Sequence, residues 1–151
     1  MGYTHYWSFN SRPKGSAQDV EQAYQLALRQ CQRILRAYNA EVKELDSKHP
    51  ARLSGYSVHT KVYTYGGLQF NGTKELSHED FCLREHFSQN ENNFCKTNRK
   101  PYDIVVVACL FTLKHYLGPT FSWSSDGQWH DLEPGRQLAA RILRLTLNKV
   151  A

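Results

Sequence analysis

The sequence predicts an α+β fold, a ferredoxin-like split β-α-β sheet with an extra hairpin strand and a C-terminal helix. Two observations predict it. Segments of period-two alternation recur near residues 3–9, 58–65, 81–87 and 120–124, and segments with helical spacing or an unbroken apolar run lie between and after them. The resulting order is β-α-(ββ)-β-α-β-α, which becomes the split β-α-β pattern when one hairpin strand and the last helix are set aside. In that arrangement helices cover one sheet face and leave the other free for a site or a dimer partner.

Each element follows from its residues. Tyr3, His5, Trp7 and Phe9 alternate with Thr4, Tyr6 and Ser8, an aromatic-rich strand pattern that ends at Pro13 and Gly15. Ser16 with Asp19 three residues on forms a variant capping box. Val20, Tyr24, Ala27, Cys31, Ile34, Leu35 and Tyr38 then repeat at helical spacing, predicting an amphipathic helix over 16–39. Residues 40–55 read as a polar surface connection. Val58 to Tyr65 and Leu68 to Asn71 flank Gly66-Gly67 as a hairpin, and residues 81–87 form a further strand. Residues 88–93, Ser-Gln-Asn-Glu-Asn-Asn, predict a loop. Tyr102 to Tyr116 is too long for one buried strand and stops at Gly118-Pro119, so it predicts a helix buried on nearly all sides. A short strand at 120–124, an Asp126-Gly127 turn and a last helix opening at 131–134 complete the chain.

With 151 residues the chain suits one domain, 1–151, with a sizeable core. The net charge of +5 favours anionic partners, but the cations are scattered, so long nucleic acid is not expected and a small anion fits better. The longest apolar run, Ile104 to Phe111, is too short to span a membrane, and residues 1–7 lack the pattern of a leader, so a cytoplasmic protein is expected. Cys31, Cys82, Cys95 and Cys109 form no C-x-x-C pair, so free thiols, no metal and no cofactor are expected.

The most informative stretch is Phe94-Cys95-Lys96-Thr97-Asn98-Arg99-Lys100-Pro101-Tyr102-Asp103. Lys96, Arg99 and Lys100 stand before the apolar helix, with Pro101 placed as its first residue. Cations beside unpaired helix N–H groups make a site for phosphate or carboxylate, or a solvated loop capping a core helix. Arg99 offers a planar fork, Thr97 adds a neutral donor, and Tyr102 either stacks on a base or joins the core. Asp103 either stabilises the helix dipole or accepts from a base edge. His5 reads first as a buried core histidine. His5, His78 and Glu79 would make an acid–base site if they converged, with Arg84 and His86 near them. Trp7 and Trp129 are candidate aromatic walls, Trp129 being equally able to pack on the last helix. Asn71 and Asp126 complete the candidate ligand-binding set, although Asp126-Gly127 is most simply a turn.

Five motifs carry a resemblance. Met1 to Trp7, Phe70-Asn71-Gly72, His78-Glu79 with Phe81, residues 94–103, and Ser125-Asp126-Gly127-Gln128-Trp129 together resemble a family of bacteriophage and bacterial proteins of unassigned activity. The resemblance implies a small phage-encoded cytosolic product. Small phage proteins often counter host immunity, and several bacterial immune systems signal through nucleotides. The expected function is therefore a sponge, a homo-oligomeric binder of a small anionic nucleotide-like immune signal. A phosphodiesterase acting on such a nucleotide and an inhibitor of a host protein are the alternatives.

Overall fold

The computed structural model describes residues 2–10, 16–46, 48–55 and 67–148. Within them the architecture is α+β, two small antiparallel sheets and three helices. The predicted strand at 58–65, with its Gly66 turn, lies outside the described residues.

Strand β1, Thr4–Phe9, is central. It pairs antiparallel with β4, Asn90–Lys96, on one side and with β5, Phe121–Ser125, on the other. A second, two-stranded sheet pairs β2, Leu68–Phe70, with β3, Phe81–Leu83. The 81–87 strand is thus shorter than expected and lies outside the main sheet.

The expected loop at 88–93 is instead the start of β4. Asparagine disfavours strands, which hides β4 from a propensity argument. Asn92 takes a left-handed φ of 64°, and Glu91 and Asn92 together stand opposite Ser8 as a bulge. Asn93 Nδ2 donates to the Trp7 carbonyl at 3.1 Å, so the amide side chain reinforces the pairing.

Helix α1, Ala17–Leu45, has the expected Ser16–Asp19 capping box but runs past residue 39. Its last turns bury no apolar stripe. They are held by Glu41, which accepts from both terminal nitrogens of Arg141 at 2.8 and 3.0 Å. Helix α2, Asp103–Leu117, is central, and Val105 through Leu113 are buried without interruption. It starts two residues later than Pro101 implied, because Pro101 sits in the preceding turn. Helix α3, Trp129–Leu143, by contrast starts earlier than 131–134, capped by Gln128 and Asp131. Gly135 lets α3 approach α2: a Cβ there would lie 2.5 Å from Val107 Cγ1.

β1 turns His5, Trp7 and Phe9 into the core and leaves Tyr6 exposed. The opposite sheet face, with Tyr6, Phe94, Ser122 and Ser124, is exposed among the described residues. No helix is long and apolar enough to cross a membrane among the described residues.

Candidate anion site at the start of α2

The basic block folds as a tight turn. Leaving β4, the Thr97 and Asn98 amides both donate to the Tyr3 carbonyl, at 3.0 and 3.2 Å, and the Lys100 amide donates to the Thr97 carbonyl at 3.1 Å. Asn98 and Arg99 between them have φ of 52° and 58°. Two left-handed central residues are the geometry of a type I′ turn, unfavourable for arginine and tolerated where neighbours fix it.

Two neighbours fix Arg99. Its guanidinium carbon lies 4.0 Å from the centre of the Tyr3 ring, and Nη1 lies 3.0 Å from Asp131 Oδ1. The bond to Asp131 holds the guanidinium above its ordinary pKa. The Asp131 carboxyl is held below its ordinary pKa, first by the Gln128 amide and then by Arg99. Burial and the nearby Asp103 charge push the Tyr3 phenol up.

Arg99 and Lys100 border a hollow of about 250 Å³ between the starts of α2 and α3, walled by Tyr3, Pro101, Ile104 and Pro134. Asp103 and Asp131 line it as well. Two cations and two carboxylates leave little net field, so the hollow is less basic than the sequence block implied. Lys100 has no ion-pair partner among the described residues. The helix end contributes little: the amides of Asp103, Val105 and Val106 already have backbone acceptors in Lys100 and Tyr102.

Asp103, which lines the hollow, is joined behind it to the buried His5. Asp103 Oδ1 lies 2.6 Å from His5 Nε2 and accepts from the Thr97 hydroxyl at 2.5 Å. His5 is fully buried, and its Nδ1 has no partner among the described residues. The expected core histidine therefore has a specific role, tying β1 to the start of α2. Thr97, proposed as a ligand donor, is buried and committed to Asp103.

The structure places the remaining sequence candidates apart from the hollow. Lys96 runs along Gly2, where a Cβ would sit 2.0 Å from Lys96 Cε, and belongs to the sheet end opposite Thr4. His78 Nδ1 lies 2.7 Å from the Lys96 carbonyl, and Glu79 Oε1 accepts from the Lys96 amide at 2.7 Å. Both latch the end of β4; they do not converge with His5. Tyr102 is fully buried and donates to the Glu79 carbonyl at 2.5 Å, so its ring has no face for a base. Trp7 is equally internal, packed on Phe81 with ring centres 5.0 Å apart. Asn71 clasps a turn, donating to the His78 carbonyl and Asp80 and accepting from the Gly72 and His78 amides. Asp126 accepts from the Thr4 amide at 3.0 Å. Arg84 is exposed beyond β3, near Ser88. Trp129 opens α3, half-buried against the core.

Sequence reasoning missed Tyr3 and Asp131 as partners of Arg99. The signal for Asp131 was its place in the first turn of a helix; that for Tyr3 was its start of a strand next to the block, and neither identifies a contact. Among the described residues no three His, Cys, Asp or Glu side chains gather as a metal site would require. No protein-family model matches the chain, and neither a curated protein nor a solved structure matches it.

Proposed function

We propose that this chain binds a small anionic, nucleotide-like ligand and releases it unchanged, as a phage-encoded sponge for a host immune signal. The observation that carries the reading is the pairing of Lys100, a cation without an ion-pair partner among the described residues, with a fork-shaped Arg99 at one small hollow. We read the β4-β1-β5 order, with α2 joining the flanking strands, as the heart of a ferredoxin-like fold that presents this turn at the sheet's end.

Size sets the binding mode. The hollow of about 250 Å³ is smaller than the roughly 300–1,000 Å³ of a site for a whole drug-sized ligand. It takes a phosphate or phosphate–sugar fragment, leaving the base outside against Ile104 and Pro134. A phosphate must also compete with Asp131 for Arg99. The hydrolase alternative draws no support from a free acid–base pair, because His5, His78 and Glu79 are each committed to a protein partner.

The test is thermal denaturation with a panel of linear and cyclic nucleotides, followed by chromatography of the ligand released on heating. Binding at a hundredfold excess over Kd adds about 2.7 kcal/mol, a shift on the order of 5–10 °C for a chain this size. A shift with intact nucleotide supports the sponge. Altered nucleotide makes it an enzyme, and no shift with any member removes the reading.

A further inference from the structure

A second surface carries a different chemistry. On the outer face of the main sheet, Tyr6 of β1 and Phe94 of β4 stand directly opposite one another in the antiparallel register. Tyr6 is 44% exposed and Phe94 60%, and with Leu45 they are the exposed large hydrophobic residues among those described. Cross-strand partners have Cβ atoms about 5 Å apart, so both side chains leave the same face of the sheet from neighbouring positions. Around them is a shallow hollow of about 490 Å³, edged by Ser8, Asn92, Ser122 and Ser124. Its size, unlike that of the hollow at Arg99, falls within the range of a true ligand site.

We propose that this face is a stacking platform for the unpaired bases of single-stranded nucleic acid. The surroundings of the rings select this occupant. Beside Trp7 and Trp123, the hydroxyls and amides of Ser8, Asn92, Asn93, Ser122 and Ser124 line the hollow, suited to base edges and sugars. Charge is complementary at one end: Lys96 follows Phe94 by two residues on the same face of β4. Near that end Asp126 accepts from the Thr4 amide and Glu79 from the Lys96 amide. Two aromatics on adjacent strands of an open sheet are how sheet-based RNA readers take successive bases, with flanking cations on the phosphates. A duplex hides its base faces, so the platform selects single strands.

This proposal departs from the sequence reading, in which long nucleic acid is not expected. That expectation looked for a dense basic patch or a linear motif, whereas the platform is assembled from residues 88 positions apart in sequence. It also stands apart from the proposed anion site, because Tyr6 and Phe94 do not line the hollow at Arg99.

The test is fluorescence anisotropy with fluorescein-labelled 12-mers of oligo(rU), oligo(rA) and oligo(dT), at about 50 mM and 200 mM salt. The parent protein is expected to bind at least one saturably, and more weakly at the higher salt. Phe94→Leu and Tyr6→Leu, which keep apolar bulk and remove the ring, are each expected to weaken binding roughly tenfold. Phe94→Trp should retain it. Circular dichroism melts of each variant show whether the sheet is intact, and mononucleotide thermal shifts should be unchanged in Phe94→Leu. No saturable binding to any 12-mer overturns the proposal, as does binding that survives both leucine substitutions. Light scattering that finds a parent dimer broken by Phe94→Leu, with no oligonucleotide bound, assigns the face to a second copy of the chain instead.

Discussion

Asp103 shows most clearly what one residue does here. Its carboxylate holds His5 and Thr97 at once, from a position 98 residues away from His5 in sequence. Asp103→Ala leaves a buried imidazole nitrogen and a buried hydroxyl without their acceptor, and should cost about 1–3 kcal/mol in urea unfolding. A variant as stable as the parent would show that the cluster contributes nothing to the fold. The sequence offered Asp103 as a dipole partner or a base acceptor, because helix position is visible in a sequence and a contact across the chain is not. Arg99 and Asp131 give a second, signed prediction. Arg99→Ala should weaken nucleotide binding about tenfold, while Asp131→Asn, which frees Arg99 and removes a negative charge from the hollow, should tighten it severalfold. Isothermal titration of both variants checks the pair; weakening by both would make Asp131 a support for Arg99's geometry and not its competitor.

Among the elements, α2 was the most legible and β4 the least. The run Ile104 to Phe111 and the Gly118-Pro119 stop define a buried helix without reference to tertiary structure. Val106→Asp should therefore abolish cooperative unfolding near ambient temperature, since an unpaired carboxylate at a fully buried site costs several kcal/mol. An unchanged circular dichroism melt would contradict α2's central place. β4 was hidden because its pairing rests on β1 and on asparagine side chains, not on its own propensity.

The join between α1 and the segment after β3 should respond to pH. His86 Nδ1 lies 2.7 Å from Glu21 Oε1, and the Phe87 amide donates to Glu21 Oε2 at 2.7 Å. The bond to Glu21 raises the His86 pKa above its ordinary value. Burial pushes the Glu21 carboxyl up, but the Phe87 amide, His86 and Gln25 outweigh it and hold it below its ordinary value. His86 thus contributes fully below its unfolded pKa of about 6.5 and loses that contribution as pH rises through its higher folded pKa. Glu21 contributes fully above its unfolded pKa of about 4.3, and loses it as pH falls through its lower folded pKa. The latch is strongest between those two values. An NMR titration should place His86 above 6.5 and return it close to that value in Glu21→Gln; a parent value at or below 6.5 would remove the latch.

Across the whole molecule, β1 organises the fold and borders both proposed sites. Its inner face supplies His5, Trp7 and Phe9 to the core, its outer face supplies Tyr6, and Tyr3 just before it carries Arg99. The class α+β was legible from alternation and helical spacing. The division into two sheets was not, because the short β2–β3 pair is defined by its partners alone. The candidate site was legible only as a neighbourhood: Arg99 and Lys100 line one hollow, while Lys96 leaves along the other face of the strand, as period-two geometry requires once β4 is known to extend to it.

The proposed sponge holds a nucleotide-like anion where β4 turns into α2. The most direct measurement is a ¹⁵N–¹H correlation spectrum of the parent protein titrated with the same nucleotide panel. At least one nucleotide should shift amides clustered on Asn98 to Ile104 and at Asp131, to saturation. Shifts confined to other parts of the chain, or no shifts with any nucleotide, would contradict it.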